Sequence, residues 1–288
     1  MAKAINGLSV VMLGLGLGAP AAQGASVILN EYNAVGSTRH LDGDAFGDSD
    51  KADTRLGRVQ GNGGNWFELA VVGDGSNGST VDMRGWMLDW VEDGTDMGTI
   101  TLSNDTFWSS VRAGTLITIG EEATLLSEGG ATVVNGSDTG IDFLTGDNWA
   151  HIHTFDTTYV TSTTTNVTGD GPGNFSVGND DWELTIKDDL GTVIFGPAGE
   201  KITDDITDDA GVNSREVFKL EADVSTSITA ASVFYSDGTS SSFGAANVWG
   251  GGDFTQDFSA FGVVPEPASL VLVGLGGVLI ATRRRAHG

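Results

Sequence analysis

The stretch WELTIKDDLGTVIF, residues 182–195, constrains the fold more than any other part of the chain. Trp182, Leu184 and Ile186 share one face of an extended segment, and Glu183, Thr185 and Lys187 share the other, which is the two-residue period of a half-buried strand. Asp188, Asp189, Leu190 and Gly191 then supply a turn, so 192–195 returns as the second strand of a hairpin. WFELAVV (66–72) places Phe67, Leu69 and Val71 on one face, and TLITIG (115–120) and VFKLEA (217–222) read as further strands. Gly, Asp, Asn and Ser clusters separate these runs and no helical period interrupts them, so the expectation is all-β, with two sheets packed face to face. Trp66, Trp86 and Trp182 are expected in the core.

Composition narrows the partners. Against 14 Lys and Arg stand 39 Asp and Glu, a net charge of −25. Such a surface repels phosphate backbones, which excludes nucleic acid, and it disfavours docking of the folded part on an anionic bilayer. There is no cysteine, so stability has to come from core packing, from bound cations, or from both.

Both ends read as addresses. Residues 1–24 carry Lys3, an apolar stretch over 8–17 and then small residues, the pattern of a secretory signal peptide cut after Ala21 or, by preference, after Gly24. Near the other end, residues 268–282 are uncharged. As a helix they would extend about 22 Å, short of a ~30 Å hydrocarbon core, and Gly274, Gly276 and Gly277 weaken them as a permanent span. Arg283, Arg284 and Arg285 would stay cytoplasmic. Pro265-Glu266-Pro267, an apolar helix and a terminal basic cluster, in that order, closely resemble the PEP-CTERM sorting signal. The resemblance implies bacterial export, transient membrane insertion, and an exosortase-type membrane enzyme that recognises the tripeptide and removes the tail. Loss of both ends takes four basic residues and one acidic residue, moving the net charge from −25 to −28.

Between the ends, several pieces taken in order resemble a lamin-tail domain. VILNEY carries Asn30 and Glu31; Trp66, Phe67, Glu68 and Leu69 follow; VDMRGWML brings Gly85 and Trp86. DDWELTIKDDLGTVIF fits the family's penultimate hairpin, and NSREVFKL and SSSFGAANVW fit its closing strand and its Gly-Ala-x-Asn ending. Phe243 stands where the family often has Pro, and an Asp-rich insert over 41–53 lengthens an early loop. The resemblance implies an immunoglobulin-like β-sandwich. The expected organisation is therefore a signal peptide (1–24), a lamin-tail-like sandwich (25–250), a linker (251–264) and a sorting tail (265–288) with a single hydrophobic helix at 268–282.

Three sets of residues are candidate sites. In LDGDAFGDSDKAD, Asp42, Asp44, Asp48, Asp50 and Asp53 occupy positions 1, 3, 7, 9 and 12 of an EF-hand-like calcium loop with Gly47 at position 6. Phe46 stands where an oxygen ligand belongs, and Asp53 is shorter than the usual Glu; the other reading is a solvated acidic loop. His151 and His153 share a strand face and could hold a transition metal with Asp147, or serve no function. Asp204-Asp205 and Asp208-Asp209 are paired carboxylates in a chain where acids are everywhere. No G-x-S-x-G, H-E-x-x-H or Walker pattern is present.

The sequence thus reads as an exported, non-catalytic structural or adhesive protein of the bacterial cell surface or extracellular matrix. Its partners would be an exosortase-like enzyme and extracellular polysaccharide, and Ca2+ its candidate ion. Two rivals are a carbohydrate-binding module, which requires Trp90, Trp108 or Trp249 to line up exposed on one face, and an extracellular hydrolase.

Overall fold

The computed structural model describes residues 24–41, 53, 55–121, 124–126, 132–169, 171–179, 181–200 and 214–263. The strands are β1 (Val27–Asn33), β2 (Trp66–Val71), β3 (Thr80–Val81), β4 (Met87–Glu92), β5 (Asp96–Leu102) and β6 (Val111–Arg112). They continue as β7 (Leu116–Gly120), β8 (Thr124–Leu126), β9 (Thr132–Asn135), β10 (Trp149–His153) and β11 (Val160–Thr165). Last come β12 (Glu183–Lys187), β13 (Val193–Gly199), β14 (Val217–Leu220), β15 (Tyr235–Gly238), β16 (Val248–Trp249) and β17 (Phe254–Thr255). No helix of seven residues or more occurs among the described residues, so the all-β expectation holds.

Two sheets carry the architecture. One has the order β10-β7-β2-β1-β14-β15, the other β11-β5-β4-β12-β13. Pairing is antiparallel except between β10 and β7, which run parallel. The hairpin read from the sequence forms: β12 pairs with β13, and the turn closes through Gly191 N–H to Asp188 O at 3.0 Å with Gly191 at φ 82°. Pro197 lies in β13, an edge strand, the part of a sheet where proline is tolerated.

The two sheets differ in how they are covered. In β12, Leu184 and Ile186 are buried while Glu183, Thr185 and Lys187 are half-exposed, and Lys187 pairs with Asp89 on the open face at 2.5 Å. By contrast β1 and β2 are buried at every position. Tyr32 and Phe67 face the five-stranded sheet, with their rings 4.5 and 5.6 Å from Trp182. On the opposite face Trp66 meets Phe243 at 5.0 Å. The segment that follows β15 therefore forms a third layer. It includes residues 251–263, of which Phe258, Phe261 and Val263 join the core.

A single irregularity decides which polar groups enter the interior. The β1–β2 register shifts between Leu29 and Glu31, leaving Asn30 as an extra residue. Such a bulge re-aims side chains, and here Asn30 and Glu31 both reach the third layer although they are adjacent in sequence. Tyr32 then returns to the inner face.

Candidate functional site

Glu31 on β1 stands directly opposite Glu68 on β2, and both are fully buried. Asp53, in the tight turn closed by its pairing with Gly57, is buried beside them. Lys219 on β14 lies opposite Glu31 on its other side and is also buried. Like charges paired across strands repel, and buried charges are costly unless bonded. The question is how the fold tolerates four such groups.

The loop Ser241–Gly244 answers it. Its three successive backbone N–H groups each donate to a different carboxylate: Ser242 to Glu31 at 3.1 Å, Phe243 to Asp53 at 3.0 Å and Gly244 to Glu68 at 2.8 Å. The Ser241 hydroxyl adds a bond to Asp53 at 2.6 Å. Asp53 also accepts from Arg55 N–H and Leu56 N–H, both at 2.7 Å, so each of its oxygens takes two donors. Lys219 donates through Nζ to Ser240 O, Ser240 Oγ and Val248 O at 2.7 to 2.9 Å.

Amides complete the network. Asn30 Nδ2 donates to Glu68 at 2.8 Å, Gln256 Nε2 donates to Asn30 Oδ1 at 3.0 Å, and Asn247 Nδ2 bridges Asn30 O and Leu220 O. Asn62 Nδ2 donates to Ser241 Oγ at 3.1 Å.

Burial dominates the proton affinities. It pushes the Glu31 carboxyl up to about 8 against the pull of Lys219. Glu68 is raised well above the ordinary glutamate value, first by burial and then by Glu31 beside it, and burial raises Asp53 as well. Lys219 is lowered, again by burial. The two facing glutamates thus relieve their repulsion by keeping protons. The cluster is buried, and its hydrogen bonds clamp the third layer to the sheet.

Other expected sites fall differently. Asp42, Asp44, Asp48 and Asp50 lie outside the described residues, as do Asp204, Asp205, Asp208 and Asp209 and the signal peptide up to residue 23. Asp53 belongs to the clamp. His151 is buried with Nδ1 at 2.8 Å from Thr118 Oγ1, while His153 is half-buried and bonds Glu121 O through Nε2. Among the described residues no three His, Cys, Asp or Glu side chains are grouped so as to hold a metal ion. Trp66, Trp86 and Trp182 are core residues as expected, but Trp90 and Trp108 are buried too. Trp249 alone of the three candidate platform residues is half-exposed, stacked 5.9 Å from the exposed Phe254.

Residues 263–285 match the PEP-CTERM protein-sorting motif. That motif marks the chain for export and for sorting by an exosortase-type processing enzyme, toward the cell surface or extracellular space. Pro265, Glu266, Pro267, Arg283, Arg284 and Arg285 fall within the match but outside the described residues, and the 268–282 helix is outside them too. Among the described residues no helix is long and apolar enough to cross a membrane. No curated protein and no solved structure matches the chain.

Proposed function

We propose that the chain is a non-catalytic structural or adhesive protein of the bacterial cell surface or extracellular matrix, built on a lamin-tail-like, immunoglobulin-type β-sandwich. The observation that carries this reading is a sorting motif joined to a domain whose convergent ionisable groups, Glu31, Asp53, Glu68 and Lys219, are all sealed inside. An enzyme keeps such groups at a cleft; a load-bearing domain without disulfides uses them to tie layers together. The family resemblance draws support from the same network, because the residues that carry it meet there. Gly244 of the Gly-Ala-x-Asn ending bonds Glu68, and Asn247 bonds the main chain of Asn30.

After export and removal of the tail, the domain acts by non-covalent contact with matrix polysaccharide. Its acidic surface requires divalent cations to bridge it to acidic polysaccharide, and the Asp42–Asp50 acids are the natural place for calcium. Replacing Pro265, Glu266 and Pro267 with alanine tests the reading. The unaltered protein should be recovered outside the cell, enriched with extracellular polysaccharide, with a mass ending near Pro265; the variant should stay full-length in the inner membrane. Recovery of the unaltered chain at full length in the membrane, or free in the medium without polysaccharide enrichment, would sink it.

A further inference from the structure

The proposed matrix role leaves open where a polysaccharide would be gripped, and the strongly acidic surface makes most of the domain unsuited to an acidic one. We propose that a cleft beside β6 binds a sugar residue bearing a carboxylate, a uronic acid unit of such a polysaccharide. The proposal rests on the matrix reading and names the ligand class for it.

The cleft has a volume of about 440 Å³ and lies between the 3-10 turn Thr106–Ser110, β6 and the loop that carries Asp142. That volume is within the range of small-molecule sites, about 300–1,000 Å³. Its cation is Arg112. The guanidinium sits 4.1 Å over the Phe143 ring, and Nη2 donates to Asn77 Oδ1 at 2.8 Å and Phe261 O at 3.1 Å. Both acceptors are neutral, so Arg112 is oriented by three contacts without a carboxylate bonded to it. An oriented guanidinium is the side chain best suited to bind a carboxylate.

The Thr115 hydroxyl and the Arg112 Nε–H are buried behind the cleft surface, so an occupant meets the rest of the guanidinium instead. Ser110 and Thr139 add hydroxyls, while Phe107 supplies an apolar wall for the C–H face of a pyranose ring. The Asp142 carboxylate also lines the cleft and already accepts from Leu144 N–H at 3.0 Å. It serves ligand hydroxyls as an acceptor and repels a second anion, which favours one carboxylate per bound unit.

The test is calorimetric titration of the full chain with trigalacturonate, with neutral maltotriose and with acetate. Arg112→Gln removes the cation; Leu144→Glu places an anion at a side chain that is 85% exposed. Melting temperature controls for folding of both. Trigalacturonate should bind, each substitution should weaken it by about fivefold or more, and maltotriose and acetate should bind at least about fivefold more weakly. Equal trigalacturonate binding by all three proteins overturns the cleft assignment and leaves the matrix reading standing. Equal or tighter binding of maltotriose overturns the uronate assignment. No saccharide binding by the unaltered protein overturns the cleft, and cell fractionation then judges the matrix reading separately.

Discussion

The Ser241 hydroxyl donates to the Asp53 carboxylate at 2.6 Å although 188 positions separate the two residues. With the three N–H donors that follow it, this bond fastens the last layer of the domain to the Asp53 turn and to the first two strands. The clamp replaces what a disulfide would supply in a chain without cysteine, and its strength depends on protons.

That dependence sets the pH response. Glu31 rises from 4.5 to about 8 on folding, and Glu68 and Asp53 are raised too. The folded chain therefore holds more protons than the unfolded one above the ordinary carboxylate range. Stability is fully present below about pH 4.5 for these groups and falls as pH rises through 8, by on the order of a few kcal/mol or about 10 °C in melting temperature. Lys219, lowered by burial, gives the opposite slope nearer its ordinary value of 10.5. Asp74 and Asp82, lowered by hydrogen bonds from Ser76 and Arg84, lose their small stabilising effect at strongly acid pH. Melting curves from about pH 4 to 9 check this, and Glu31→Gln should flatten the fall.

Asp53→Asn should destabilise the domain by about 3 kcal/mol, because an amide cannot satisfy four donors as a carboxylate does. The loss should be the same in excess calcium and in EDTA, since Asp53 acts through residues 55, 56, 241 and 243. A loss seen only with calcium would make Asp53 an ion ligand instead. In the same melts, Asp42→Ala with Asp44→Ala should remove whatever rise calcium gives the unaltered chain.

Gly244 has φ of 67°, and a Cβ there would lie 2.5 Å from Trp149 Cε2. Gly244→Ala should therefore cost about 3 kcal/mol through strain and collision, lowering the melting temperature by roughly 6–12 °C. Chemical denaturation of the two proteins measures the difference directly.

Six of the seven tryptophans are buried, and Trp249 is the half-exposed one. Trp249→Phe should abolish most quenching of tryptophan emission by iodide while changing stability by less than about 1 kcal/mol. Quenching that survives the substitution would mean that a second tryptophan is reachable, contrary to the burial of the other six.

Local alternation made the strands legible: β12, its turn and β13 follow from residues 182–195 alone. Buried faces were harder. Phe67, Leu69 and Val71 were readable as an inward stripe, but that alternation gave no sign that Glu68 between them is buried too, because nothing nearby announces a third layer. The signal available was Asn30 and Glu31 inside a run otherwise apolar enough to be buried on both sides. Asp53 was assigned to a calcium loop by spacing, whereas two of its four donors, Ser241 and Phe243, come from almost two hundred residues away. Trp90 and Trp108 carry no mark that separates a core ring from a binding platform; only the packing of β4 and of the 3-10 turn does.

Val263, the first residue of the sorting match, is itself part of the hydrophobic core. The match and the core thus share a residue, and Pro265 follows two positions later in the sequence. An exosortase-type enzyme that recognises this motif therefore meets it with the packed domain directly upstream and no free spacer before Val263.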